Sequence, residues 1–204
     1  MTNAARTARF VAAALVWSAL APACLGTTEV RYYTLAGGGV VAPAHRAESQ
    51  YTVHVAPAVV PEALDRPEVV LRVSETQVAV DDNHRWAEPL RTGIARAVAV
   101  QLARELDGAR VSASERAGQP ASDVELTIDV QRLEVSLTDG VVLDVAWTAR
   151  WANDGPTRTG RSAARARGGP PGGYDAAVAA CMAALEAVGN DIARSVRVEH
   201  LSRR

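Results

Sequence analysis

The sequence contains no lysine, so all 22 of its basic residues are arginine, and aromatic residues make up only 4% of the 204 positions. Acidic residues balance the arginines, and the formal net charge is -1. Nucleic-acid-binding proteins carry a basic excess, so this composition argues against nucleic acid as a partner. Polylysine-type adhesion to membranes is equally unsupported. A hydrophobic content of 48% excludes a disordered chain and predicts a globular protein.

Motifs of enzymes and metal proteins are also absent. The four histidines are scattered, without the paired spacing of a zinc site, and the sequence has no nucleophile elbow and no Cys-x-x-Cys pair. Residues 81–84 lack the periodic carboxylates of a calcium loop and are better explained by a turn. We therefore expect no catalytic residues, no metal site and no cofactor. His54 or His84 beside carboxylates in a cleft would favour an enzyme instead.

The N-terminal segment has the order of a secretory signal. Arg6 and Arg9 precede an apolar run over residues 10–20, and small residues lead from there to Cys24. The run is shorter than the roughly 20 apolar residues that a membrane-spanning helix needs. We predict a signal peptide over residues 1–23.

Two fates remain open for Cys24. A lipoprotein signal peptidase would leave it as an acylated N-terminus, whereas ordinary secretion would leave a free thiol. Ala21 and Pro22 depart from the usual lipobox, but we predict lipidation, and Leu25 in place of aspartate favours export to the outer membrane. Cys181 lies in an apolar helical run and is expected to be buried; a disulfide to Cys24 is the minor alternative.

Residues 24–49 are rich in glycine, alanine and polar side chains, which predicts a flexible lead tethered by the lipid. Its aromatic pair, Tyr32 and Tyr33, either docks on the folded body or contacts a partner. Residues 50–204 are predicted to form one globular domain.

Hydrophobic periodicity predicts a mixed α/β fold, with two amphipathic helices over a mixed sheet in three α/β/α layers. The predicted strands cover residues 51–55, 69–73, 77–80, 110–114, 124–137, 141–151 and 158–167, and the helices cover residues 86–106 and 174–198. Residues 81–83 are predicted to form a turn between the third strand and the first helix.

A long hairpin is the strongest local signal. A two-residue turn at Asp139 and Gly140 places Val130 opposite Ala149. Apolar side chains then fall on both faces near the tip, where Leu133, Val135 and Leu137 point away from the face of Val130. This pattern indicates either a sheet covered on both sides or a bulge near Gln131.

The last predicted strand carries Arg161, Arg165 and Arg167 on one face. Arginines in this position mark either a solvated edge or a surface for an acidic partner.

Several segments together resemble the PqiC/YmbA-type lipoproteins, also called the ABC-type transport auxiliary lipoprotein family. These segments are YYTL at residues 32–35, the strand and loop that contain Val53, Val55, Pro57, Val60, Pro61, Leu64, Asp65, Arg66, Pro67, Val70 and Arg72, RWAEPL at residues 85–90, and the alanine-rich helix from Tyr174 through Met182 and Leu185 to Ile192. The loop at residues 64–67 combined with RWAEPL is the most specific part.

The resemblance implies an outer-membrane lipoprotein on the periplasmic face, anchored in the lipid through its acylated N-terminus, with a body similar to anticodon-binding-like domains. It further implies an accessory subunit of an MCE-type, PqiABC-like intermembrane lipid transport system. Such a subunit maintains envelope integrity by docking to the MCE tunnel protein, and a homo-oligomeric ring of copies is open.

Physical roles follow for the matching residues. The predicted partner-binding residues are Tyr32, Tyr33, Leu35, Arg66 and Trp86. Arg66 is also expected to pair with Asp65, Glu68 or a neighbouring strand, and Trp86 to seat the helix start on the sheet. A soluble periplasmic protein that binds lipid or a small molecule is the alternative, and a purely structural envelope protein also stays open.

Overall fold

The computed structural model describes residues 29–35, 51–113, 121–168 and 172–202. Its strands are β1 (Arg31–Tyr33), β2 (Tyr51–Val55), β3 (Glu68–Arg72), β4 (Val78–Trp86), β5 (Ala109–Ser112), β6 (Val124–Ser136), β7 (Gly140–Trp151) and β8 (Thr157–Ala166). Its helices are α1 (Leu90–Glu105) and α2 (Gly173–Ser202), and a short 3-10 helix covers Glu62–Leu64. The predicted signal peptide, Cys24 and most of the predicted lead lie outside the described residues, so the domain boundaries stay predictions.

The larger sheet has five strands in the order β5-β2-β6-β7-β8. β2 pairs in parallel with β5 and β6, whereas β7 pairs antiparallel with β6 and β8. Buried residues alternate with more exposed ones along β2 and β7, because successive side chains of a strand point to opposite faces. The buried residues form one apolar face, on which the helices pack.

The two helices pack against each other as well as against the larger sheet. The Gln101 side chain donates a hydrogen bond of 2.6 Å to Asn190 across this helix pair. By length and composition Gly173–Arg197 could cross a membrane, but its apolar stripe is buried in the core. That stripe consists of Val178, Cys181, Leu185, Val188, Ile192 and Val196. The predicted burial of Cys181 is confirmed, with 2% of its surface exposed.

The smaller sheet has the order β1-β4-β3, with β1 parallel and β3 antiparallel to β4. The predicted turn at residues 81–83 is wrong, because β4 continues through it to Trp86. Val69 pairs with Asp81 and Glu68 pairs with Arg85, so residues 82–84 bulge out of the pairing with β3.

The first helix therefore starts later than the sequence predicts. Trp86 ends β4, and Pro89 is the N-cap of α1, where its fixed backbone φ and missing N–H do not disturb the helix. The segment RWAEPL thus joins a strand to a helix and does not open the helix.

The β6-β7 hairpin is confirmed, but its predicted register is wrong. Val130 pairs with Val145 and Ile128 pairs with Trp147, and the loop between Ser136 and Gly140 has three residues. The register shifts between Val130 and Arg132, so the bulge near Gln131 is present. It returns Leu133 and Val135 to the buried face, opposite Leu143 and Val141, which corrects the prediction that they point away.

The predicted fold class is confirmed. The residues that the structure describes form a mixed α/β protein with two α-helices and two mixed sheets, an arrangement consistent with three α/β/α layers. Arg161 and Arg165 are exposed, and β8 is the last strand of its sheet among the described residues, an arrangement that fits both a solvated edge and a surface for an acidic partner.

Candidate docking site

Two segments that are far apart in the sequence meet in the smaller sheet. β1, which carries Tyr32 and Tyr33 of YYTL, runs parallel to the end of β4, which carries the start of RWAEPL. Tyr32 pairs with Arg85, Tyr33 pairs with Trp86, and the Ala87 N–H donates a hydrogen bond of 2.7 Å to the Tyr33 carbonyl. The aromatic pair is therefore docked on the body by backbone pairing.

The apolar side chains of this junction are buried. Leu35 is 4% exposed and Trp86 is 7% exposed, and both belong to the main core. Gly93 faces Leu35, since a Cβ on Gly93 would lie 3.6 Å from the Leu35 Cδ1. Both side chains stabilise the docked segment, and their role in partner binding stays a prediction.

A cluster of rings attaches β1 and β4 to the start of α2. The rings of His84 and Tyr174 stack with centroids 3.5 Å apart, and the Tyr33 ring lies offset at 5.8 Å from His84 and 6.2 Å from Tyr174. The Tyr174 hydroxyl donates a hydrogen bond of 2.7 Å to Asp81, whose Oδ2 also lies 3.1 Å from the His84 Nδ1. This cluster holds the N-terminal strand against the C-terminal helix.

The electrostatics of the cluster follow from these contacts. The hydrogen bond from Tyr174, with those from Asn83 and His84, holds the pKa of the Asp81 carboxyl below its ordinary value. Burial and the neighbouring Asp81 raise the pKa of the Tyr174 hydroxyl well above its usual range. Burial, with the Asp175 charge as a further cause, also raises the pKa of Tyr33. Both hydroxyls stay neutral at physiological pH, and that of Tyr174 remains the donor to Asp81.

One row of side chains crosses the smaller sheet, exposed at Tyr32 and Arg66 and half-buried at Arg85 and Glu68. Tyr32, Arg85 and Glu68 are paired across β1, β4 and β3, so their side chains share one face. Tyr32 is 65% exposed. Glu68 lies 3.5 Å from Arg85 and 3.6 Å from Arg66, which confirms the expected Arg66–Glu68 pair. We call Tyr32, Arg85, Glu68 and Arg66 the docking row.

The loop before β3 is fixed against the same region. The Trp86 N–H donates a hydrogen bond of 2.7 Å to the Pro67 carbonyl, and Arg91 of α1 forms an ion pair with Asp65. The structure therefore brings together all five predicted partner-binding residues: Leu35, Tyr33 and Trp86 form the inner part, and Tyr32 and Arg66 form the outer part.

The docking row offers an aromatic ring, two guanidinium groups and one carboxylate, which suits protein recognition. Within the described residues, no group of three or more His, Cys, Asp or Glu side chains is arranged to hold a metal ion. The sequence does not predict the contact of Asp81 and His84 with Tyr174. These two residues lie beside α2 only because β4 extends further than predicted.

A groove near the β3-β4 hairpin was also missed. It has a volume of about 950 Å3 and is lined by both sheets and the 3-10 helix. Val78 and Val80 line it and are 57% and 41% exposed, although alternation alone would bury them. Arg72 and Arg132 both form ion pairs with Glu134 at its wall. Arg132, with Arg72 as a further cause, lowers the pKa of Glu134.

Comparisons with known proteins bear on this arrangement. Residues 33–193 match the family model described as the ABC-type transport auxiliary lipoprotein component. The crystal structure of an uncharacterized protein is similar, with a TM-score of 0.62, 20% sequence identity, and coverage of 82% of this chain and 99% of that chain. A Xanthomonas campestris protein of the DUF330 family has a TM-score of 0.56 and 18% identity, and covers 75% of this chain and 87% of that chain.

A PelC dodecamer from Paraburkholderia phytofirmans is more distant, with a TM-score of 0.38 and 12% identity over 70% of this chain and 86% of that chain. That similarity is too low to transfer an assembly state. No curated protein matches the sequence.

Proposed function

Since this chain belongs to the ABC-type transport auxiliary lipoprotein family, we propose that it is the periplasmic accessory subunit of an MCE-type, PqiABC-like lipid transport system. The family match over residues 33–193 is the observation that carries the proposal, because the matched range includes RWAEPL, all of YYTL except Tyr32, and most of the fold. In this role the protein docks to the MCE tunnel protein and helps to maintain the envelope. It performs no chemistry of its own.

The proposed anchor is an acylated Cys24 in the outer membrane, with the body on the periplasmic face. The lipoprotein character of the family supports this placement. Intact mass spectrometry of the protein from outer membranes of a diderm host tests it. The expected species starts at Cys24 and carries a diacylglyceryl group and an amide-linked acyl chain. A free Cys24 thiol in the soluble periplasmic fraction would reject the anchor.

The proposed contact with the MCE subunit is the docking row, and Tyr32, at the β1 end of the row, is its most exposed aromatic residue. An exposed tyrosine paired with an arginine, here Arg85, has the composition of an interface hot spot. Truncation of such a residue costs about 1–3 kcal/mol, so Tyr32→Ala should lower the affinity for the MCE subunit roughly 5- to 150-fold. The thermal unfolding temperature should not change, because the side chain is 65% exposed.

The matched control is Leu137→Ala, which removes an apolar side chain that is 40% exposed in the loop between β6 and β7. Pulldown of the MCE subunit should be reduced for Tyr32→Ala and normal for the control. Equal pulldown by both variants would remove the docking row from the interface. Tyr33→Ala is expected to reduce stability as well as binding, since Tyr33 packs against the core.

Two observations bear on other functions. The groove of about 950 Å3 favours the alternative of a lipid- or small-molecule-binding protein, and lipid retained through purification would support it. The His84–Asp81 pair is the arrangement that would favour an enzyme. However, the imidazole is stacked on Tyr174, and neither residue of the pair lines the groove. We therefore interpret the pair as part of the ring cluster.

A further inference from the structure

β8 is an edge strand that is long and free on one side. All ten of its residues pair with β7, from Thr157 to Ala166, and within the described ranges no strand pairs with its other side. An edge of this length presents a row of backbone N–H and C=O groups to which another extended chain can add. Its backbone is therefore a template for strand addition.

The edge is held rigid from the helix side. The Trp147 indole lies directly over Gly160, where any Cβ would overlap it. Its Nε1–H donates a hydrogen bond of 3.1 Å to Ser162, and the Ser162 hydroxyl donates in turn to Asp191 of α2. Because these bonds fix the middle of β8, an added chain has to order only itself, which lowers the entropic cost of binding.

The outward face of β8 carries cations that its own sheet does not neutralise. Asp144 lies opposite Ala163 and pairs with Arg161 at 3.0 Å. Arg165 lies opposite Val142, and neither it nor Arg167 has an acidic partner within the described part of the chain. Both arginines are exposed and line a hollow of about 690 Å3 beside the β6-β7 turn. Asp139 lines the same hollow, but its carboxylate accepts hydrogen bonds from the Ser136 and Thr138 hydroxyls and forms no ion pair with either arginine. This end of the edge is complementary to negative charge.

We propose that β8 binds an extended acidic segment of a partner protein as a sixth strand of the larger sheet. Backbone hydrogen bonds to β8 give affinity, and Arg165 and Arg167 select carboxylates. A second copy of this chain fits poorly, because two β8 edges side by side would place arginines of both copies on one face. The proposal goes beyond the function proposed above and does not depend on the partner being an MCE protein.

A labelled ten-residue peptide that alternates threonine and glutamate tests this inference on the full chain in detergent, with a threonine-lysine peptide as the control probe. We expect the acidic peptide to bind more weakly as salt rises and to slow amide hydrogen exchange in Thr157–Ala166. Binding of the lysine peptide with equal affinity would overturn the proposal. So would protection confined to other strands.

Charge variants supply the second test. The double variant Arg165→Glu/Arg167→Glu should lower peptide affinity by at least about tenfold. The matched control is Arg104→Glu, an exposed arginine near the end of α1 that should leave binding unchanged. The neutral pair Arg165→Gln/Arg167→Gln replaces the double variant if that one does not fold. Equal effects of the edge and control variants, or dimerisation through β8 without peptide, would refute acidic strand addition.

Discussion

Removal of the Ser162 hydroxyl tests whether the polar chain beneath β8 stabilises the fold. Ser162 and Trp147 are each 5% exposed, so water cannot replace the hydroxyl in the variant Ser162→Ala. The Trp147 Nε1–H then loses its acceptor, and Asp191 loses a donor. A buried N–H without a partner costs about 1–3 kcal/mol. We therefore expect the free energy of unfolding to fall by about 2 kcal/mol.

The effect should depend on pH, because the hydrogen bond from Ser162 is the main cause that lowers the pKa of Asp191. A carboxyl with a lowered folded-state pKa contributes stability that is complete above its unfolded pKa of about 4. That contribution is lost as the pH falls through the lower folded pKa. The difference between wild type and Ser162→Ala should therefore be larger at pH 7 than in acid, where Asp191 is protonated in both.

Urea unfolding of the full chain, followed by tryptophan fluorescence, measures this effect. With a slope of about 2 kcal/mol/M for a domain of this size, the midpoint should fall by about 1 M at pH 7. Ser195→Ala is the matched control, because its hydroxyl bonds only the Asp191 carbonyl one helical turn away, at 3.3 Å. A Ser162→Ala variant no less stable than this control would refute the reasoning.

Three further predictions concern other parts of the fold. Gly140→Ala should lower the free energy of unfolding in urea by at least about 2 kcal/mol, because φ at Gly140 is +87° and the added Cβ would overlap β8. The control Gly172→Ala, where φ is +85° but the Cβ would meet open space, should lower it by only about 1 kcal/mol. Tyr174→Phe should raise the pKa of the Asp81 carboxyl in an NMR titration, and an unchanged pKa would contradict the hydrogen bond as its main cause. Burial raises the pKa of the Cys181 thiol to about 12, so a thiol reagent should react with it only after unfolding. Fast reaction at Cys181 in the native protein, separated from reaction at Cys24 by peptide mapping, would contradict this burial.

Local patterns predict elements better than they predict pairing. The long hairpin is visible from alternation alone, but its register depends on one extra residue near Gln131 and on three loop residues before Gly140. Alternation of apolar and polar residues does not show whether one strand contains an extra residue, so it cannot fix the register. The turn predicted at residues 81–83 fails for another reason: Asp82 and Asn83 do leave the β3 pairing, but Asp81 stays paired with Val69, and β1 pairs in parallel with Arg85 and Trp86 at the end of β4.

In the candidate site too, individual residues were predicted from the sequence, whereas contacts between distant residues were not. The resemblance of the sequence to a family supplied Tyr32, Tyr33 and Trp86, and the structure brings these together. Local patterns could not supply the contact of His84 with Tyr174, because these residues are far apart in the chain and meet only after α2 has packed on the body. The arginines of β8 were visible in the sequence, but the free edge beside them follows from the strand order.

The docking of β1 sets how far the body can move from a membrane. With Cys24 lipidated as proposed, the chain reaches Arg31, the first residue of β1, over at most about 25 Å. If β1 were not docked and the chain were free from Cys24 to Tyr51, that segment could instead extend to roughly 90 Å. The ring cluster of Tyr33, His84 and Tyr174 holds β1 on the body, and it therefore keeps the linker between the lipid anchor and the folded domain short. With the anchor as proposed, a docked β1 therefore keeps any partner contact of the body close to the membrane.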